Sequence, residues 1–228
     1  QESAFKRFGL TPSLLAGDFL LVRAFGLCAQ LDSFVITQTE AACVELTEGE
    51  VLEGVIDLDS PPSLDDYITV VSKKTASLFR LACAVGAHLS QPDAEVTEAL
   101  GNFGRLAGIA FQMVDDILDV TADEDLLGKP SGTDLRQKTP SLVNVLWLES
   151  GDSRAGEFFR RQSITLEQSQ EARKLVLRSA VVDEARAYAR SYASHAHAEL
   201  QRLPSALIDE ATRNQLHAIV EYTLDRCL

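Results

Sequence analysis

Apolar residues recur at three- and four-residue spacing along almost the whole chain, and nowhere alternate with period two over a strand's length. The pattern predicts successive helices with short breaks. Thr11–Ala29 is the most apolar stretch, with Pro12 acceptable in its first turn. Gln30–Ile56 follows, and Asp57–Ser63 (DLDSPPS) breaks it. A helix over Leu64–Leu89 opens at Ser63, with Asp66 placed to close a capping box. Ser90–Asp93 reads as a turn and Ala94–Val120 as a long apolar helix. Thr121–Lys138 is a polar loop, Thr139–Glu149 is helical, and Gly151-Asp152 marks a turn. Thr165 and Gln168 form a second capping-box pattern, opening a helix to about Arg178. Val182–Arg202 and Ser205–Cys227 complete the set. No internal repeat, low-complexity tract or linker interrupts this order, so one all-α domain over residues 1–228 is expected.

Composition narrows the class. A chain of 228 residues that is 46% apolar can bury a large core and is not disordered. A formal net charge of −13 repels nucleic acid and anionic lipid, so no nucleic-acid partner is expected. The same balance suits a site that gathers divalent cations around a phosphorylated substrate. Cys28, Cys43, Cys83 and Cys227 lack C-x-x-C spacing and read as reduced core thiols. His195 and His197 point to opposite sides of a helix and cannot share a metal on one face. Asp18 and Arg23 interrupt the best membrane-span candidate, Leu14–Leu31, so no integral membrane segment is expected. No signal peptide is visible, and a cytoplasmic protein is the expectation. Position 1 is Gln and Met113 is the sole methionine, which implies that Gln1 is not an initiation site.

The sharpest chemical feature is the segment Phe111-Gln112-Met113-Val114-Asp115-Asp116-Ile117-Leu118-Asp119. Asp115 and Asp119 project from one helical face, with Asp116 about 100° round from Asp115. Acidic groups set among apolar ones need compensation, and a divalent cation supplies it. Mg²⁺ suits the position, since it takes one or two carboxylates, several waters and phosphate oxygens. The competing reading is an ordinary solvated helix end. The following loop, Gly128-Lys129-Pro130-Ser131-Gly132-Thr133-Asp134, offers glycines for close backbone approach and Lys129 for diphosphate oxygens, although it lacks P-loop order. Lys73-Lys74-Thr75-Ala76 sits mid-helix, where a lysine can also simply reach out to water.

Taken together these segments resemble the trans-isoprenyl diphosphate synthases, the polyprenyl synthetase family. Leu14-Leu15-Ala16-Gly17-Asp18 is similar to the family's L-A-G-D helix, and Glu48-Gly49-Glu50 to its next helix. Lys74-Thr75-Ala76 matches the K-T-A segment. Phe111-Gln112 with Asp115, Asp116 and Asp119 matches the second aspartate-rich motif, and Gly128-Lys129 with Gly132-x-Asp134 matches the G-K…G-x-D loop. The resemblance implies an isoprenoid-synthase-type helical bundle and a homodimer. It implies a Mg²⁺-dependent prenyltransferase that condenses isopentenyl diphosphate with an allylic prenyl diphosphate into a linear trans-prenyl diphosphate.

Carried over residue by residue, Asp115, Asp116 and Asp119 are the metal-site candidates, with Asp115 and Asp119 foremost. Lys74 and Lys129 would pair with the allylic diphosphate, while Thr75 and Gln112 would lie near the reacting carbons. These four are the catalytic and substrate-binding candidates. The apolar helix interior would hold the growing tail. The G-E form of Glu48-Gly49-Glu50 favours geranylgeranyl or longer products, but product length is not legible here.

Two departures from the family stand out. The first aspartate-rich motif and the isopentenyl-binding segment are expected upstream of Gln1. A lysine that often follows the G-x-D loop aligns with Thr139, and Lys138 lies one residue early, leaving its role open. The alternatives are a catalytically silent partner subunit and a terpene cyclase of the same fold. The K-T-A and G-K…G-x-D segments favour chain elongation over cyclisation.

Overall fold

The computed structural model describes residues 2–56, 62–90, 94–122 and 131–226, and all of its regular structure there is helical. The elements are α1 (Ala4–Phe8), α2 (Leu10–Cys28), α3 (Ser33–Val55), α4 (Leu64–Val71), a π-helical segment (Ser72–Ala76), α5 (Ser77–Leu89) and α6 (Ala94–Thr121). After these come α7 (Thr133–Gln137), α8 (Leu142–Glu149), α9 (Ser153–Phe159), α10 (Leu166–Leu177), α11 (Val181–Arg202) and α12 (Glu210–Asp225). The all-α expectation holds. Both capping boxes form: Ser63 with Asp66 opens α4, and Thr165 with Gln168 opens α10. The last helix starts at Glu210 rather than near Ser205. Asp209 is the true cap, accepting from the Thr212 amide at 2.9 Å, while Pro204 holds the preceding turn.

Helix α6 is the axis of the molecule. It lies between α5 and α11, with α8 and α12 also against it. Met113, Val114 and Ile117 are wholly buried, each stabilising the fold by about 1.5–3 kcal/mol relative to exposure. Glycines set the closest approach: a Cβ at Gly104 would stand 2.5 Å from the Phe79 carbonyl oxygen, and one at Gly108 would stand 2.8 Å from Ala76 Cα. On the other side, α11 offers Ala185, Ala189, Ala193 and Ala196, all buried, a stripe at helical spacing. Helix α8 buries Leu142 through Trp147 in succession, and Trp147 packs against Phe158 and Phe159. Phe158 and Phe159 belong to α9, a short helix that sequence periodicity did not reveal. Seven residues are too few for an independent pattern, and the helix is held by that aromatic contact.

Two features depart from the sequence expectation. The helix over 64–89 is continuous but not uniformly α: Ser72–Ala76 adopts π geometry. That bulge sends adjacent side chains to different neighbours, Lys74 to α3 and Thr75 to α6. Gly49 lets α3 approach it, since a Cβ there would stand 2.5 Å from the Lys74 amide nitrogen. The second feature is α2, none of whose residues is buried. Leu14, Leu15, Phe19, Leu20 and Val22 are all more than half exposed within the single chain. By length and composition alone, Leu10–Cys28 is apolar enough to cross a membrane. Asp18 and Arg23 are too few to keep this stretch below that threshold, which core helices of soluble proteins also reach.

Candidate active site

The C-terminal half of α6 brings the acidic cluster to the top of the bundle, and its three aspartates meet three different environments. Asp116 is buried at 5% exposure. Its Oδ2 accepts from the Tyr67 hydroxyl and from the Leu142 amide, both at 2.8 Å. Its Oδ1 accepts from Gln112 Nε2 at 2.9 Å, across one turn of the same helix. Burial pushes the Asp116 carboxyl up to about 6, against the pull of those three donors and with a further upward push from neighbouring Asp115. Burial and the Asp116 charge together hold the Tyr67 hydroxyl well above its ordinary value.

Asp119 is also buried, and its Oδ2 accepts from the Asp134 amide at 3.0 Å. Gly132, in the left-handed conformation at φ 74°, donates its amide to the Asp119 carbonyl at 2.7 Å. Arg173 donates to the carbonyls of Val120 and Ala122, closing the C-terminal end of α6. The G-x-D loop is thereby tied to the acidic motif through backbone groups. Asp115 faces outward, with its side chain 47% exposed. It meets Arg226 at 3.3 Å, and the Arg226 guanidinium also lies over the Phe111 ring.

Sequence reasoning treated the aspartates as one metal cluster. Among the described residues, no three acidic, histidine or cysteine side chains converge closely enough to hold an ion. Asp116 is spoken for by its donors. The exposed Asp115 fits a hard, hydrated cation, which needs only one or two carboxylates and takes its other oxygens from water and phosphate. Asp119, one turn on, is 3% exposed and has its Oδ2 taken by the Asp134 amide.

Thr75, Gln112 and Asp116 do come together with Lys74. The Thr75 hydroxyl donates to Gln112 Oε1 at 2.9 Å. A cleft of about 170 Å³ is lined by Glu53, Tyr67, Lys74, Thr75, Gln112 and Asp116, among others. Lys74 Nζ is 2.6 Å from Glu53 and 3.2 Å from Glu50. Its partial burial disfavours the charge, but those two carboxylates outweigh it and hold the ammonium above its ordinary value. Lys129 lies outside the described residues. Lys138 takes the left-handed conformation at φ 56° and sends its ammonium to the Phe159 carbonyl at 2.6 Å, so it serves the join between α7 and α9.

Sequence reasoning missed Tyr67, Glu53 and the Leu142 amide. Tyr67 carried a signal, since a tyrosine on the apolar face of a helix needs a partner for its hydroxyl. Glu53 and Leu142 carried none, because their roles depend on packing between distant elements.

Comparison with known proteins agrees with this architecture. The polyprenyl synthetase family model matches residues 1–178. The geranylgeranyl diphosphate synthase of Methanosarcina mazei is 30% identical over 226 residues, which cover 96% of this chain and 68% of that protein. The chloroplastic solanesyl diphosphate synthase 1 of Arabidopsis thaliana is 31% identical, over 99% of this chain and 55% of that protein. The chain therefore spans between about half and two thirds of these relatives' length. A Caulobacter crescentus polyprenyl synthase, solved with calcium and isoprenyl diphosphate, superposes with a TM-score of 0.91 at 30% identity, covering 100% of this chain and 70% of that one. By its helical architecture, the order of its motifs and these likenesses, the chain belongs to the polyprenyl synthetase family.

Proposed function

We propose that the complete protein is a Mg²⁺-dependent trans-prenyltransferase that joins isopentenyl diphosphate to an allylic prenyl diphosphate, giving a linear product of geranylgeranyl length or longer. The observation that carries this reading is the cleft in which Lys74, Thr75 and Gln112 meet beside the acidic motif of α6. The relatives named above make geranylgeranyl and solanesyl diphosphates, which supports the longer range without choosing a length.

Each residue then has a task. The Lys74 ammonium, and Lys129 with it, binds diphosphate oxygens and stabilises charge as the allylic C–O bond breaks. The bond from Thr75 to Gln112 consumes the hydroxyl proton, so the threonine's lone pairs remain for the cleft. Those lone pairs favour an adjacent allylic cation and orient the proton lost after the isopentenyl double bond has attacked. Asp115 and Asp119 would hold the Mg²⁺, which would supply positive charge to stabilise the departing pyrophosphate. The apolar helix interior would hold the growing tail and keep water from the cation. A silent partner subunit would have no need of the intact chain from Thr75 to Asp116.

The uncovered apolar face of α2 supports a homodimer, the second copy covering Leu14, Phe19 and Leu20. The activity test is direct. The complete protein, given both diphosphates and Mg²⁺, should release one pyrophosphate per five-carbon addition, and mass spectrometry of the products gives their length. No pyrophosphate release with any allylic diphosphate would overturn the reading.

A further inference from the structure

A chain of hydrogen bonds runs from α4 to α6 and back to the π-helical segment at the cleft. It starts at the Tyr67 hydroxyl on α4, which donates to Asp116 Oδ2 at 2.8 Å. Asp116 Oδ1 accepts from Gln112 Nε2 at 2.9 Å, and Gln112 Oε1 accepts from Thr75 at 2.9 Å. Only one orientation of the Gln112 amide satisfies both neighbours, because a carboxylate accepts and a hydroxyl can donate. The carbonyl oxygen must therefore turn toward Thr75 and the amino group toward Asp116.

That orientation matters for the cleft. If the amide flipped, Thr75 would have to accept from Gln112, and its hydroxyl proton would turn outward. The surface beside the reacting carbons would then present a donor where a cation develops. What fixes the amide is the direction of the Asp116 carboxylate. What fixes the carboxylate is Tyr67 on one side and the Leu142 amide on the other, both reaching Oδ2 and leaving Oδ1 for Gln112. Tyr67 itself is held rigidly. It is 2% exposed, and its helix begins at the capping box of Ser63 and Asp66, with Glu149 accepting from the Leu64 amide at 3.0 Å.

We infer that Tyr67 is a positioning residue for prenyl transfer: through Asp116 it locks the Gln112 amide so that the Thr75 hydroxyl proton is held by Gln112 and the threonine's lone pairs face the allylic cation. The inference rests on the prenyltransferase reading above. It assigns Tyr67 no contact with substrate.

The test is Tyr67→Phe, which removes one oxygen and keeps the ring in its pocket. In the complete protein, kcat should fall about ten-fold while KM for the allylic diphosphate stays within about two-fold, since a misplaced group costs rate more than binding. A second readout needs no turnover. In the unliganded wild type, the Gln112 side-chain amide protons should exchange slowly with water by NMR, and Tyr67→Phe should speed that exchange at least about ten-fold. Thr75→Val, which leaves Tyr67 and Asp116 in place, should leave the amide more protected than Tyr67→Phe does. Unchanged kcat in Tyr67→Phe overturns the inference, as does a parallel change in kcat, KM and unfolding temperature, which marks a merely structural role. Rapid exchange of the Gln112 amide in wild type overturns it even if the variant does not fold. A wild type with a protected Gln112 amide and no condensation activity would instead defeat the prenyltransferase reading and leave the hydrogen-bond lock standing.

Discussion

Helices α2 and α6 look alike as sequences, both long and rich in apolar residues, yet they meet opposite fates. Helix α6 buries residues along its whole length, from Val96 to Val120. Helix α2 buries none. The difference lies in what the rest of the chain supplies. Helix α6 alternates bulky residues with Gly101, Gly104 and Gly108, so that α5 can approach its backbone. Gly17 and Gly26 of α2 have open space where a Cβ would stand. A face that is apolar but uncovered calls for cover from outside the described residues. A face that is covered leaves its few polar residues to be satisfied internally, and in α6 those are the residues of the candidate site.

If the comparison is right, damage to α6 strikes chemistry or folding, and damage to α2 strikes association. The largest effect is expected at Asp115. Asp115→Ala in the complete protein should cost roughly 10²–10³-fold in Mg²⁺-dependent condensation, the scale of losing one group that stabilises developing charge. Its unfolding temperature should hardly move, because an exposed pair such as Asp115 with Arg226 contributes little. A variant that kept full activity would make the cluster an ordinary helix end.

Next comes packing. Gly108→Val places carbon against Ala76 Cα at 2.8 Å and Phe79 Cβ at 3.0 Å. It should destabilise the fold by about 1–3 kcal/mol in a denaturant titration. A neutral outcome would mean that α5 and α6 are less closely joined than the structure shows. On the other helix, Leu20→Glu should leave the fold intact while weakening self-association at least about ten-fold, a change that sedimentation at micromolar concentration detects. Unaltered association would remove α2 from the dimer interface.

These expectations also show what was readable in advance. Long helices such as α6 and α11 were legible because apolar spacing at helical period survives any neighbour. Both capping boxes were legible because they are local. Lys74, Thr75 and Gln112 were found by the resemblance, but nothing in sequence said that Asp116 would be sealed beneath them while Asp115 faced water. That split depends on Tyr67 and Leu142, which lie far from Asp116 in the chain. The resemblance pairs Lys74 with a diphosphate, and nothing in sequence pointed to Glu50 and Glu53 as the carboxylates on which its ammonium rests. The exposure of α2 was illegible for a simpler reason: apolar sequence announces burial without naming what covers it.

A smaller effect is expected at Lys74. Lys74→Ala should change the unliganded unfolding temperature little, since partly exposed pairs contribute at most about 1 kcal/mol. It should reduce the added stability conferred by Mg²⁺ with a non-hydrolysable allylic diphosphate analogue. A full ligand-induced shift in the variant would detach Lys74 from the diphosphate.

The smallest effect concerns the cover that α12 gives α6. His217 on α12 faces His197 on α11, with Arg213 and Glu221 also near it. Partial burial, then the His197 and Arg213 charges, hold His217 below its ordinary value of 6.5, against the opposing pull of Glu221. A group depressed in this way lends stability that is present above its unfolded value and lost as pH falls through its folded one. The unfolding temperature should therefore drop modestly on acidification below about 6.5, and His217→Gln should shrink the drop. An equal drop in the variant would assign the acid sensitivity elsewhere.

Metal-dependent recognition of an allylic diphosphate at the acidic end of α6 is the property on which the proposed function most directly depends. Calorimetric titration of the complete protein with a non-hydrolysable allylic diphosphate analogue, with and without Mg²⁺, measures it. Binding that needs Mg²⁺ in the wild type and is lost in Asp115→Ala is the predicted result. Equal binding with and without the metal, or by both proteins, would contradict it.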